Sequence, residues 1–210
     1  MFIFTSKKEK QFTLFTYSMH AAITIGSGTR LIDVKDNYTK WGMKDAASQR
    51  ARLTWMLQEG ERKEFARLHH FMTALSESGR KEYIDSLESD QERIAKAKVV
   101  QFYMRRLPAE GIAAYDYTWA SFLSRGKGDY GYISKEEARQ FQLQAVRQTQ
   151  QAYNNWGEFF TGYIAGYQFM TAQTSLDYLR ENEWEFTRYF VSKHSSILKV
   201  NFHEDFSHFE

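Results

Sequence analysis

Three carboxylates, Asp116, Glu136 and Glu137, are the residues whose type and setting could support acid–base chemistry. Asp116 lies four residues after Ile112 and three before Trp119, so on a helix it falls on or beside an apolar stripe. A carboxylate buried there needs a partner, because an unpaired buried charge is costly. General acid–base catalysis needs two positioned groups with shifted pKa values. These three residues are therefore the candidate catalytic groups.

A structural role is the alternative explanation for the same carboxylates. Ser134 and Glu137 match the S-x-x-E capping box, in which each side chain bonds the other residue's backbone N–H. Glu136 would stabilise that helix N-terminus through the helix dipole, and Asp116 would make a structural hydrogen bond. Spacing along helices does not reveal how the helices pack, so both explanations stay open.

Other chemical motifs are incomplete. The chain has no cysteine, which excludes disulfides, cysteine nucleophiles and thiolate metal sites. The stretch HEDFSH at 203–208 departs from the zinc motif H-E-x-x-H, because its second histidine comes five residues after the first. RGKGDYG lacks the spacing of a P-loop, and no G-x-S-x-G occurs. We therefore expect no metal and no cofactor.

Aromatic residues make up 17% of the chain and could serve either a partner surface or the core. The candidates for a ligand or partner surface are Trp119, Tyr132, Trp156 and Tyr167. Rings that stack on bases usually accompany a basic groove, whereas the net charge here is only +2. We therefore expect no nucleic acid as partner, and core packing is the favoured use of most rings.

The elements that must position these residues are helices. Apolar residues at spacings of three and four predict helices over most of the chain, with starts at Asp45, Asp90, Ser134, Asn154 or Asn155, and Ser175. Residues 30–38 are expected to be a connector, in which LIDV could be a short strand. The pattern predicts one all-α domain over 1–210 with about seven or eight helices, in which 175–210 form a less regular C-terminal helix and tail.

Gly162 and Gly166 form a G-x-x-x-G pair that would suggest dimerisation inside a membrane. Glu158, Asn155 and Gln168 lie on the same helix, so close packing in a water-surrounded core is the favoured interpretation. No run of about 18 apolar residues occurs, and the N-terminal stretch does not follow the order of a secretory signal. We expect no membrane span and a cytoplasmic location.

Three stretches carry a family resemblance: WGMKDAASQRARLTWMLQEGERKEF, AYDYTWASFLSRGKGDYGYISKEEA and QTQQAYNNWGEFFTGYIAGYQF. With the N-terminal helix, the chain resembles the bacterial domain of unknown function 1266 over about residues 12–172. The resemblance implies an arginine three residues after the Asp and another after the late Gly, where this chain has Trp119 and Tyr167. If those arginines neutralise the Asp in relatives, another basic residue must do so here, or Asp116 must reach solvent.

Two functions follow as hypotheses. Amphipathic helices without a complete catalytic motif favour a protein-binding or regulatory module, whose surplus apolar surface serves a partner protein. The alternative is an enzyme or antibacterial toxin-type effector that uses an acidic pocket around Asp116. An open pocket around that residue would favour the enzyme, and burial against backbone amides or one structural arginine would favour the binding module.

Overall fold

The computed structural model describes residues 6–27, 34–125, 131–174 and 177–209. Within these ranges the chain forms α-helices and short 3₁₀ turns without a β-strand, which confirms the predicted all-α class. The helices in the described ranges are α1 (Lys7–Ser27), α2 (Val34–Lys40), α3 (Ala46–Gln58), α4 (Arg62–Thr73), α5 (Glu77–Ser86), α6 (Gln91–Tyr103), α7 (Ala113–Leu123), α8 (Lys135–Ala152), α9 (Trp156–Thr171) and α10 (Asp177–Val191). Two 3₁₀ turns, Ser196–Leu198 and Ser207–Phe209, follow in the tail.

Most predicted helix starts are confirmed by side-chain caps. Asp45, Asp90 and Asn155 each accept a hydrogen bond from the backbone N–H three residues on. Ser134 and Glu137 form the expected capping box at the start of α8. These caps satisfy N–H groups that have no partner inside their own helix.

The predicted connector at 30–38 is wrong in its second half, because Val34–Lys40 form helix α2. The helix is only two turns long, and its polar sequence VKDNYTK gives no apolar periodicity to detect. The other residues of the LIDV piece, 31–33, and the predicted cap at Ser175 lie outside the described residues. The same holds for residues 126–130 of the RGKGDYG stretch.

Helix α7 occupies the centre of the fold and packs against α1, α3, α8 and α9. Every residue of α7 except Trp119 is buried, including Asp116 and two other polar residues, Thr118 and Ser121. A helix that is buried all round cannot show a one-sided apolar stripe, because it has no solvent face. The polar groups on α7 must therefore find partners inside the protein.

Two glycines of α9 allow close packing, Gly166 against α7 and Gly162 against the residues that precede α7 and α9. A Cβ at residue 166 would overlap the Cβ of Tyr115 on α7. A Cβ at residue 162 would lie 2.8 Å from Oη of Tyr153 and 3.0 Å from the carbonyl oxygen of Gly111. The G-x-x-x-G pair therefore serves helix packing within this chain, as the polar neighbours on α9 predict.

Candidate functional site

The Asp116 carboxylate is the best-defined of the candidate groups, and the start of α4 surrounds it. Its Oδ1 accepts a hydrogen bond of 2.8 Å from the backbone N–H of Glu61. Its Oδ2 accepts one of 3.0 Å from the backbone N–H of Arg62 and one of 3.2 Å from the Arg62 guanidinium. Asp116 is only 1% exposed, so protein donors replace water around both oxygens.

This arrangement caps α4 from a distant part of the chain. The first N–H groups of a helix have no partners inside it, and the helix dipole favours a negative charge there. The N-cap residue Glu61 makes no side-chain cap of its own. Asp116, 55 positions further along the sequence, supplies the missing acceptor. The carboxylate thus fixes the start of α4 against α7.

Arg62 is the basic partner that Asp116 requires. Its guanidinium also donates to the carbonyl oxygens of Met56, at 2.6 Å, and Leu57, at 2.7 Å. It lies 5.0 Å from the centre of the Tyr117 ring. The arginine therefore joins the end of α3 to the buried carboxylate. It supplies the positive charge in a chain that has Trp119 and Tyr167 at the positions where the family resemblance implies arginines.

Two opposing effects set the protonation of Asp116. Burial raises the pKa of the carboxyl, while the N–H groups of Glu61 and Arg62 and the nearby guanidinium lower it, with a net pKa of about 6. A carboxyl with such a pKa could exchange protons near neutrality. Its oxygens, however, are occupied by the donors that start α4, which favours the structural explanation.

Glu137 takes part in a different set of contacts. Its Oε2 accepts a hydrogen bond of 3.1 Å from the Ser134 N–H, and its carboxylate forms a two-pronged ion pair with Arg50 at 2.7 and 3.2 Å. The Arg50 guanidinium and the Ser134 N–H lower the pKa of Glu137 to about 2. Glu136 instead lines a cavity beside α1. Asp116 bonds Glu61 and Arg62, whereas Glu137 bonds Arg50 and Ser134, so the two carboxylates belong to separate sets of contacts.

The candidate surface aromatics occupy different environments. Tyr132 is 44% exposed and lies edge-on to Tyr38. Trp156 is 8% exposed and packs in the core, with ring centres 4.8 Å from Phe15 and 5.0 Å from Phe202. Trp119 and Tyr167 are half-buried against the same core. Tyr132 is therefore the member of this set that a partner could reach without rearrangement.

Gln49 is a buried polar residue that the sequence does not single out. Its Nε2 donates to the carbonyl oxygens of Leu123, at 2.9 Å, and Arg125, at 3.2 Å. Its Oε1 accepts from the N–H groups of Tyr132, at 2.8 Å, and Ile133, at 3.2 Å. One amide therefore holds together the two stretches of backbone that flank residues 126–130.

A groove of about 1000 Å³, here called the α1–α10 groove, lies between α1 and α10. One wall carries Leu14, Tyr17, Ala21 and Ile25 of α1, and the other carries residues of α10 and the following turn. Tyr17 in the α1 wall is 62% exposed. Trp184 and Val191 of α10 are 71% and 72% exposed, and neither is among the residues that line the groove. Exposed apolar side chains beside a concave surface are typical of sites that bind another molecule.

No helix in the part of the chain that the structure describes combines the length and the apolar character needed to cross a membrane. No group of three or more His, Asp or Glu side chains in the described ranges is arranged to hold a metal ion.

In its described residues the chain is all-helical, and its central buried helix supplies a carboxylate that caps a neighbouring helix. Residues 38–202 match the family model described as Protein of unknown function (DUF1266). The match covers most of the chain, so this protein belongs to that family, which confirms the resemblance seen in the sequence.

A curated bacterial protein is also similar to this chain. The uncharacterized protein YbeR of Escherichia coli (strain K12) is 25% identical over 150 residues, which cover 71% of this chain. The chain matches 62% of the length of that relative. No solved structure is significantly similar.

Proposed function

We propose that this protein is a helical protein-binding module of the bacterial cytoplasm, and that its partner docks in the α1–α10 groove. The observation that carries the proposal is the open groove itself, whose α1 wall presents Leu14, Tyr17, Ala21 and Ile25, with Tyr17 62% exposed. A partner seated in the groove would remove these apolar side chains from water, which stabilises the complex by the hydrophobic effect.

The groove walls favour a helical segment as the docked element. Leu14, Tyr17, Ala21 and Thr24 line it from α1 at spacings of three, four and three. Glu185, Tyr189 and Ser192 line it from α10 at spacings of four and three. Stripes with this spacing accept the side chains of an adjacent helix. The partner would therefore add a helix between the two walls.

The surroundings of Asp116 favour this module over the alternative enzyme or toxin-type effector. A catalytic carboxylate must come within hydrogen-bond reach of a substrate. Asp116 is 1% exposed and already accepts hydrogen bonds on both oxygens. The alternative would require α4 to move away from α7 before substrate could reach the carboxylate.

Site-specific photo-crosslinking in the native host tests the proposal. A photo-reactive amino acid replaces Tyr17 in the groove or, as a control, the exposed Tyr132 on another surface. We expect a discrete crosslinked product from position 17 that Ala21→Arg removes, because the arginine would fill the groove. The same products from both positions, or products that persist in Ala21→Arg, would contradict the proposal.

A further inference from the structure

A second cavity, here called the Arg125 pocket, lies between α1, the end of α7 and the start of α8. Its volume is about 470 Å³. Its charged lining residues are Arg125, Lys135, Glu136 and Arg139, and the rings of Phe12 and Phe122 form part of its wall. The pocket is thus a concave surface with several charged groups and two aromatic supports.

The Arg125 guanidinium is held in place without a carboxylate partner among the described residues. Its Nε donates to the carbonyl oxygen of Phe122 at 3.2 Å, and its Cζ lies 4.8 Å from the centre of the Phe122 ring. The side chain is half-buried. A charge that is partly removed from water without a counter-ion costs free energy, which a bound anion would offset.

The charges around the pocket leave an excess of positive charge. Arg139 is neutralised by Glu9, whose Oε1 lies 2.7 Å from its guanidinium. Of the remaining charged residues in the lining, Arg125 and Lys135 are positive and Glu136 is negative. No ion pair within the described ranges engages either of those two cations.

The positive charge of Arg125 also affects the neighbouring His20. Its Nε2 lies 2.9 Å from Oγ of Ser121, and its ring lines the Arg125 pocket. Burial lowers the pKa of His20 to about 3, and the charge of Arg125 contributes to the lowering. The imidazole is therefore neutral at pH 7 and responds to charge placed near Arg125.

We propose that the Arg125 pocket binds a small molecule through a phosphate or carboxylate group, with Arg125 and Lys135 as its cationic ligands. The planar guanidinium fork matches both groups, because each presents two oxygens to parallel N–H donors. Glu136 limits the affinity by repelling the anion. The Arg125 pocket adjoins the α1–α10 groove, because Tyr17 and His20 line both cavities. The cationic residues Arg125 and Lys135 line the pocket and not the groove.

Titration calorimetry with inorganic phosphate and, separately, with citrate tests the proposal at pH 7 and constant ionic strength. We expect Arg125→Gln to raise the Kd by at least about ten-fold, because it removes a charge-assisted hydrogen bond. Glu136→Gln should lower the Kd a few-fold. Arg105→Gln, which makes the same change in net charge at an exposed site on another surface, should leave the Kd unchanged.

The two anions separate the possible ligand sources. Binding of phosphate alone indicates a phosphate ester, and binding of citrate alone indicates a carboxylic acid. Binding should also raise the pKa of His20, measured by NMR, because the anion offsets the field of Arg125. The proposal is overturned if neither anion binds more tightly than chloride, or if Arg125→Gln and Arg105→Gln weaken binding equally.

Discussion

Gly60 and Asp116 fit against each other so closely that a Cβ at residue 60 would overlap the Asp116 carboxylate. Gly60 also has a positive φ of 61°, a backbone conformation that glycine adopts without strain. The turn between α3 and α4 therefore depends on glycine for its conformation and for the space that the carboxylate fills.

Gly60→Ala should destabilise the protein by more than a positive φ alone can explain. Gly42 provides the matched control, because its φ is 70° and an added Cβ would have only Arg52 Nη2 near it, at 3.9 Å. We expect Gly42→Ala to lower the free energy of unfolding by about 1–2 kcal/mol. Gly60→Ala should lower the free energy of unfolding clearly more, as measured by urea denaturation. Equal losses of stability in the two variants would show that the Asp116 side chain can move aside for the added Cβ at little cost.

Asp116→Ala should be strongly destabilising, because it leaves the Arg62 side chain, only 15% exposed, without its carboxylate and the start of α4 uncapped. Removal of one partner of a buried pair typically costs about 3–5 kcal/mol. Asp90→Ala, which removes the exposed cap of α6, should cost only about 1 kcal/mol. Chemical denaturation of both variants checks the comparison. An Asp116→Ala variant as stable as Asp90→Ala would refute the structural role.

Acid should destabilise the protein in part through His20. Its folded-state pKa is about 3, below the ordinary value of 6.5, so between these values the unfolded chain binds a proton that the folded chain does not. Stability therefore falls as pH drops from 6.5 towards 3, by up to about 1.4 kcal/mol per pH unit.

His20→Gln is the variant that isolates this contribution. We expect a smaller loss of stability between pH 7 and pH 4.5 than in the unmodified protein, measured from denaturant midpoints at each pH. The raised pKa of Asp116 makes the folded protein more stable as the pH falls, which opposes the effect of His20. Because both proteins contain Asp116, its contribution cancels when their pH profiles are subtracted. Parallel pH profiles would mean that His20 is protonated without loss of the fold.

Trp156→Ala should cost on the order of 3–5 kcal/mol, because it deletes a buried ring from the core. The ring contacts Phe15 of α1, Phe159 of α9 and Phe202 of the tail. Tyr132→Ala is the control, since Tyr132 is 44% exposed. A loss below about 1 kcal/mol for Trp156→Ala in the same denaturant assay would show that the core readily repacks around the vacancy.

Features that depend on neighbouring residues could be predicted from the sequence, whereas contacts between distant segments could not. The caps at Asp45, Asp90 and Ser134 join residues three positions apart, so their chemistry is visible as a short motif. The need of Asp116 for a basic partner could also be inferred from its place in an apolar segment. That the partner is Arg62 could not, because 54 positions separate the two and only the packing of α3, α4 and α7 brings them together.

The role of Gln49 shows the same limit. Its side chain is fully buried and makes hydrogen bonds to backbone groups more than 70 positions away. A glutamine within a polar stretch of α3 gives no signal of such a role, because most glutamines lie at the surface. Trp156, a candidate for a partner surface, shows a related difficulty. A stripe of rings along one helix does not reveal whether the rest of the chain or a partner covers it.

The Gln49 contacts have a practical consequence for engineering. Because one side chain pins the backbone at Leu123 and Arg125 to the backbone at Tyr132 and Ile133, the distance between these attachment points does not depend on how many residues join them. The loop-closure cost of an inserted segment rises by only about 0.6 kcal/mol for each doubling of loop length. An affinity tag or a small reporter inserted between residues 126 and 130 should therefore leave the helical scaffold assembled.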